Sequence, residues 1–164
     1  MEPASEVNVR SNSYFIARAT SRCPGCGAIV PVFALALPPS HEALVPNSAE
    51  DDGASVWQAA PWNALLFHVE FLSDPVARRL RALTSAYRLS PGEESGDSHW
   101  ANHCPACDAI FEDQGLFCEP GGAFLPTSAR AASAIRLVRI DEPLEAAASG
   151  YGCEPQYFDS MTAA

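Results

Sequence analysis

Six cysteines stand in this chain of 164 residues, and four of them fall into two matching turns. Set Arg22-Cys23-Pro24-Gly25-Cys26-Gly27-Ala28-Ile29-Val30 beside His103-Cys104-Pro105-Ala106-Cys107-Asp108-Ala109-Ile110-Phe111: Cys, Pro, Cys, Ala and Ile recur at the same places. Two separate Cys-x-x-Cys turns are the usual way to gather four thiolates tetrahedrally around one zinc ion. Proline after the first cysteine fixes φ where the turn begins. The residue after the second cysteine often needs positive φ, which Gly27 takes freely and Asp108 tolerates better than most. The four-thiolate reading therefore takes Cys23, Cys26, Cys104 and Cys107 as ligands of one Zn2+. A shell of four cysteines is closed to water, so such an ion holds structure and does no catalysis.

These turns resemble the knuckles of zinc-ribbon proteins, whose usual form is Cys-Pro-x-Cys-Gly. Residues 23–27 match that form throughout, and residues 104–108 depart from it only at Asp108. The resemblance covers roughly 14–37 and 98–118, and it implies two β-hairpins clamped at their tips by a shared metal. The 77 residues between Cys26 and Cys104 far exceed a minimal ribbon and imply a long insertion. Other cysteine chemistry stays open. Cys-Pro-x-Cys also serves thiol–disulfide oxidoreductases, where the first cysteine opens a helix. Ala28-Ile29-Val30-Pro31-Val32-Phe33, β-branched and interrupted by proline, opposes a helix after the first pair. A catalytic metal or another cluster is the remaining alternative. Cys118 and Cys153 are spare thiols that would serve as ligands if the pairing were different, as would His99 or His103 beside the second turn.

The elements that must position the turns follow from periodicity. Residues 1–12 are polar and expected to be flexible. Tyr14 to Thr20 is a strand entering the first knuckle and Ala28 to Leu37 a strand leaving it, with Pro31 marking an edge or a bulge. Residues 38–53, with their prolines and the acidic run Glu50-Asp51-Asp52-Gly53, read as a solvated loop. Ser55 to Ala59 and Ala64 to Leu72 read as strands. In the second of these Phe67, Val69 and Phe71 alternate with His68 and Glu70, an ordinary apolar face and an ordinary polar one. Asp74-Pro75 opens a helix, Asp74 as its cap, with Val76, Leu80, Leu83 and Tyr87 as the buried stripe. Gln114 to Cys118 has strand character, 129–134 helical character, and Ile135 to Ile140 alternates as a strand. Glu142-Pro143-Leu144-Glu145 could begin a short helix.

The fold class expected is α+β and β-rich: two zinc-knuckle hairpins sharing one four-cysteine site, with an inserted strand–strand–helix segment. The domain reading is a flexible 1–12, a single zinc-stabilised domain over 13–140 with 38–97 inserted between the knuckles, and a weakly ordered tail over 141–164.

Charge limits the partners. The net charge is −10, and all ten basic residues are arginine. Such a surface repels phosphate backbones, so nucleic-acid binding, common among zinc ribbons, is disfavoured unless arginines cluster. The one concentration is Arg78, Arg79, Arg81 and Arg88, a candidate patch for an anion or a partner. No run of 18 apolar residues exists, so no membrane span is expected. Met1 to Glu6 lacks the basic segment and apolar core of a signal peptide, and reduced metal-binding cysteines fit a cytoplasmic location. No nucleophile–base pair or phosphate loop is apparent. The expected function is thus a noncatalytic structural-zinc protein acting as a protein–protein interaction or regulatory module. A nucleic-acid-binding zinc ribbon, or a Cys-x-x-Cys oxidoreductase, is the alternative.

Overall fold

A computed structural model describes residues 7–46, 55–90, 98–153 and 158–163; the acidic run 50–53 and residues 91–97 lie outside them. The elements in chain order are β1 (Val9–Ser11), β2 (Tyr14–Arg22), β3 (Ile29–Leu37), β4 (Glu42–Pro46), β5 (Ser55–Ala59), β6 (Ala64–Leu72), α1 (Asp74–Leu83), β7 (Tyr87–Ser90), β8 (His99–Asn102), a π-helical turn (Gln114–Cys118), α2 (Ala129–Ala132), β9 (Arg136–Ile140), β10 (Leu144–Cys153), a 3-10 turn (Phe158–Ser160) and β11 (Thr162–Ala163). The strands join one eleven-stranded sheet in the order β11-β9-β2-β3-β6-β10-β1-β4-β5, with β8 bridging from β6 to β7. Every pairing is antiparallel except β9 with β11.

The central strands are apolar on both sides because both faces of the sheet are covered. Tyr14 and Ile16 of β2 with Leu35 and Leu37 of β3 join Leu66, Val76, Leu80 and Trp100 in one core. The alternate residues, Ala17 and Ala19 with Val32, Ala34 and Ala36, face a second core containing Cys23, Cys104, Phe111, Leu116, Phe124 and Ile135. The two cysteine turns therefore grow out of the second core, and α1 covers the first.

Several expectations change. The 38–97 insertion is more than a strand–strand–helix segment: it holds β4, β5, β6, α1 and β7, and β6 lies at the heart of the sheet between β3 and β10. Glu42–Pro46, read as loop, pairs with β5 along its whole length. The tail 141–164, expected to be weakly ordered, supplies β10, whose Ala146 to Ala148 are buried against β6. Small residues admit close packing there, and burial overrides the helix preference of alanine. Gln114–Cys118 is a π-helical turn, not a strand. In α1 the capping position falls on Ser73, with Asp74 and Pro75 in the first turn. Ser73 Oγ accepts from the Glu145 amide at 3.2 Å and so pins the helix to β10. The helix stops at Leu83, which stands exposed, and Tyr87 belongs to β7.

The alternation expected along β6 breaks at His68. Its φ is +50°, and β6 runs from Phe71 to Val69 against the single step from Ala147 to Ala148 in β10. Val69 thus joins the core beneath α1, while Phe67 stacks on Phe117 of the π-helical turn, ring centres 5.5 Å apart.

Pro31 is tolerated for the reason the sequence suggests. β6 reaches β3 only at Leu35 to Leu37, so among the described residues the knuckle end of β3 has no strand on that side. Asn102, wholly buried at the end of β8, fills the gap: Phe33 N–H donates to its Oδ1 at 2.7 Å, and its Nδ2 donates to Phe33 O at 2.9 Å. One amide side chain thereby acts as a strand partner and ties the first knuckle hairpin to β8, the strand that leads into the second knuckle. Beyond that turn only the single bridge between His103 and Ile110 forms, not the second hairpin expected. Replacing Asn102 with leucine leaves two buried backbone groups unpaired, so Asn102→Leu should lower the unfolding free energy by ~2–4 kcal/mol in urea titration.

Candidate metal centre

The two knuckles share one backbone geometry. In the first, Cys23 N–H donates to Ala28 O at 2.8 Å and Gly27 N–H to Cys23 O at 3.0 Å. In the second, Cys104 N–H donates to Ala109 O and Asp108 N–H to Cys104 O, both at 2.8 Å. The residue that turns the chain is left-handed in each, Gly27 at φ +77° and Asp108 at φ +65°. Asp108 is further held by Arg88, whose Nη2 donates to its Oδ1 at 2.7 Å and keeps its carboxyl below the usual range. Arg22 spans the first turn, Nη1 donating to Gly27 O at 3.0 Å.

The four sulfurs meet across the 77 intervening residues. Cys23 Sγ lies 3.5 Å from Cys107 Sγ, and Cys26 Sγ 3.7 Å from Cys104 Sγ. Sulfurs placed tetrahedrally at 2.3 Å from zinc are about 3.8 Å apart, while a disulfide needs about 2.05 Å. The spacing fits four ligands of one ion, and all four cysteines are free thiols. Amides aim at the sulfurs, Gly25 N–H to Cys23 Sγ at 3.3 Å and Ala106 N–H to Cys104 Sγ at 3.4 Å, as they do where thiolate charge must be offset. Cys23 and Cys104 are buried, Cys26 and Cys107 exposed, so the centre lies at the surface with its inner half in the core.

Protonation follows the same asymmetry. The Cys26 amide, opposed by burial and joined by the Gly25 amide and the neighbouring sulfurs, brings the Cys23 thiol down to about 6. At Cys107 the Ala109 amide pulls downward, but the Cys23 sulfur, burial and the other two sulfurs outweigh it and push the thiol up to about 12. Four sulfurs this close cannot all ionise without a cation among them, and a divalent ion would supply that charge. Neither pair opens a helix: Ala28 leads into β3, and Ala109 leads to the single bridge between Ile110 and His103. The helix N-terminus that activates an oxidoreductase cysteine is missing from both turns.

The other candidates fall elsewhere. Cys118 is exposed in the π-helical turn and outside the sulfur cluster; Cys153 ends β10, and its side chain lies outside those described. His103 is buried, its Nδ1–H donating to Ala101 O at 3.0 Å. His99 stacks on His68. Of the arginine group, Arg79 pairs with Glu142 at 2.7 Å, Arg88 is taken by Asp108, and Arg81 lies 6.0 Å over the Trp100 ring. Two of the four are thus neutralised by partners, leaving Arg78 and Arg81 as a thin patch.

A second group of donors, His68, His99 and Asp113, comes together apart from the cysteines. No spacing motif marks it, because its members sit on three separate elements. The only sequence signal is that His99 and Asp113 flank the second knuckle.

No family model matches the chain, and neither a curated protein nor a solved structure does. Among the described residues no helix is long and apolar enough to cross a membrane.

Glycine has a separate reason at each place in the first knuckle. A Cβ on Gly25 would stand 3.1 Å from Ala109 Cβ and 3.3 Å from Cys107 Sγ, so the two turns touch there. A Cβ on Gly27 would meet nothing within 4 Å, and only its φ objects. Gly27→Ala should therefore cost about 1–2 kcal/mol in denaturant unfolding of the metal-loaded protein, through backbone strain alone. Gly115→Ala, also in open space but without positive φ, should leave stability unchanged or slightly raised.

Proposed function

We propose that the chain is a noncatalytic structural-zinc protein whose Cys23, Cys26, Cys104 and Cys107 hold one Zn2+, and that it works as a protein–protein interaction or regulatory module. The observation that supports this most is the fit of the sulfur spacing to a tetrahedral four-thiolate shell, lined by the amides of two turns with the same hydrogen-bond pattern. Four protein ligands leave no position for a substrate, so the ion serves as a clamp. Apparent zinc binding in small knuckles is worth on the order of 10–16 kcal/mol, comparable with the whole stability of a domain.

A protein partner is favoured over nucleic acid by the charge of −10 and by the arginines already paired with acids. Ile29 and Ile110, at equivalent places just beyond the two knuckles, both stand exposed beside the centre and offer apolar anchors. In this reading the ion fixes the distance between these two anchors, and zinc loss would abolish recognition together with stability.

Cys26→Ser tests the clamp. The variant should lose thiolate-bound zinc by metal analysis after chelator dialysis. Its melting temperature should fall by ~10 °C or more, since each lost kcal/mol moves a protein of this size by roughly 2–4 °C. Unchanged zinc content with an unchanged melting curve would refute the reading.

A further inference from the structure

We propose that His68, His99 and Asp113 form a second divalent-cation site, of the two-histidine, one-carboxylate class, at the junction of β6, β8 and the segment leading into the π-helical turn. A ring nitrogen from each histidine and a carboxylate oxygen of Asp113 lie within 4.8 Å of one another, and all three residues are half-buried. This donor set suits zinc, iron(II) and neighbouring transition ions. Three protein ligands leave coordination positions for water or a small ligand, unlike the closed sulfur shell.

Four features build the site. The first is the left-handed backbone at His68, φ +50°, a region that few residues other than glycine enter, although histidine does so more often than most, and that costs about 1–2 kcal/mol. That turn accompanies the break in β6 alternation and presents the His68 amide to Asp113, whose Oδ2 accepts it at 2.7 Å. An acceptor bond of this kind orients a ligating carboxylate and leaves its second oxygen for a cation. The second is the pair of imidazoles, stacked with ring centres 4.5 Å apart and planes 17° from parallel. The third is the aromatic wall Phe67–Phe117–Phe124, centroids 5.5 and 5.0 Å apart, which presses the π-helical turn onto β6. π-Helical turns occur disproportionately at functional sites. The fourth is the half-buried placement of the Asp113 carboxyl at the mouth of the π-helical turn.

Ligands 2.0–2.1 Å from a tetrahedral ion are about 3.3 Å apart. Binding would therefore draw the present donors together by up to about 1.5 Å, through rotation of the imidazoles and carboxylate about their side-chain torsions. Glu70 Oε1, 3.8 Å from His68 Nε2, adds acceptor character at the rim.

The sulfur centre governs this second site. His99 lies five residues before Cys104 and Asp113 six after Cys107, so the second knuckle is the bend that folds one ligand back beside the other. This coupling rests on the four-cysteine reading; the histidine–aspartate geometry does not.

The test uses the full chain with its sulfur centre filled by zinc, titrated with Co2+. One further equivalent should bind, giving ligand-field absorption without a thiolate charge-transfer band. NMR should show paramagnetic shifts on the His68 and His99 rings while His41 and His103 stay unmoved. Asp113→Asn keeps an oxygen for the His68 amide, and His99→Gln leaves the left-handed turn untouched. Each should weaken cobalt binding by about tenfold or more, with thiolate-bound zinc and the melting curve retained. Failure of the zinc-loaded wild type to bind cobalt, or undiminished binding in both variants, overturns the proposal. In Cys26→Ser the cobalt affinity should also fall; if it is unchanged while Asp113→Asn still loses it, the coupling alone is overturned. A charge-transfer band appearing on cobalt addition means that the ion has entered the sulfurs, and it counts against the second site.

Discussion

Four sulfurs less than 4 Å from their nearest counterparts, on turns separated by 77 residues, are the constraint on which the architecture turns. Thiols at that spacing compete for protons, and thiolates at that spacing repel; a cation among them would relieve both. The surrounding backbone is organised for this outcome. Each turn directs an amide at a sulfur, each uses a left-handed residue to bring its chain around, and Gly25 is kept bare where the turns meet. With half its sulfurs in the core, the centre would couple the binding of a metal to the packing of Phe111, Leu116 and Phe124.

The sheet answers a different demand. Central strands with apolar residues on both faces need covers on both sides, and the chain supplies α1 for one and the knuckles with the π-helical turn for the other. Where strand pairing gives out, at the knuckle end of β3, the side chain of Asn102 completes the hydrogen bonding. This is also the place where the sheet tolerates Pro31, so a missing donor and a borrowed partner occur within one short stretch.

What could be read from the sequence was what depends on short range. The knuckles, the positive φ at Gly27 and Asp108, the bounds of β5 and β6, and the start of α1 at Asp74-Pro75 are set by neighbours in the chain. The rest is set at long range. Ala146 to Ala148 have no strand propensity and become strand because β6 and β1 stand on either side. Leu116, Phe117 and Cys118 look like a strand, but Phe124 N–H donates to Leu116 O and the chain coils instead. His68 appears to sit on an ordinary polar face until its backbone is seen to turn. Asp113 carries no local mark at all, since its partners lie 45 residues before it and 14 before it in the sequence.

The position of β10 bears on how this protein can be made. It lies between β6 and β1, two strands that come much earlier in the chain and have no pairing with one another. Until residues 144–153 emerge during synthesis, the facing edges of β6 and β1 have unpaired amides and carbonyls, the kind of surface that seeds association between nascent copies. Such non-local pairing also makes folding slow. A cation held between residues 23–26 and 104–107 would be able to close that contact before the strand arrives, holding the first half of the sheet together while its gap waits to be filled.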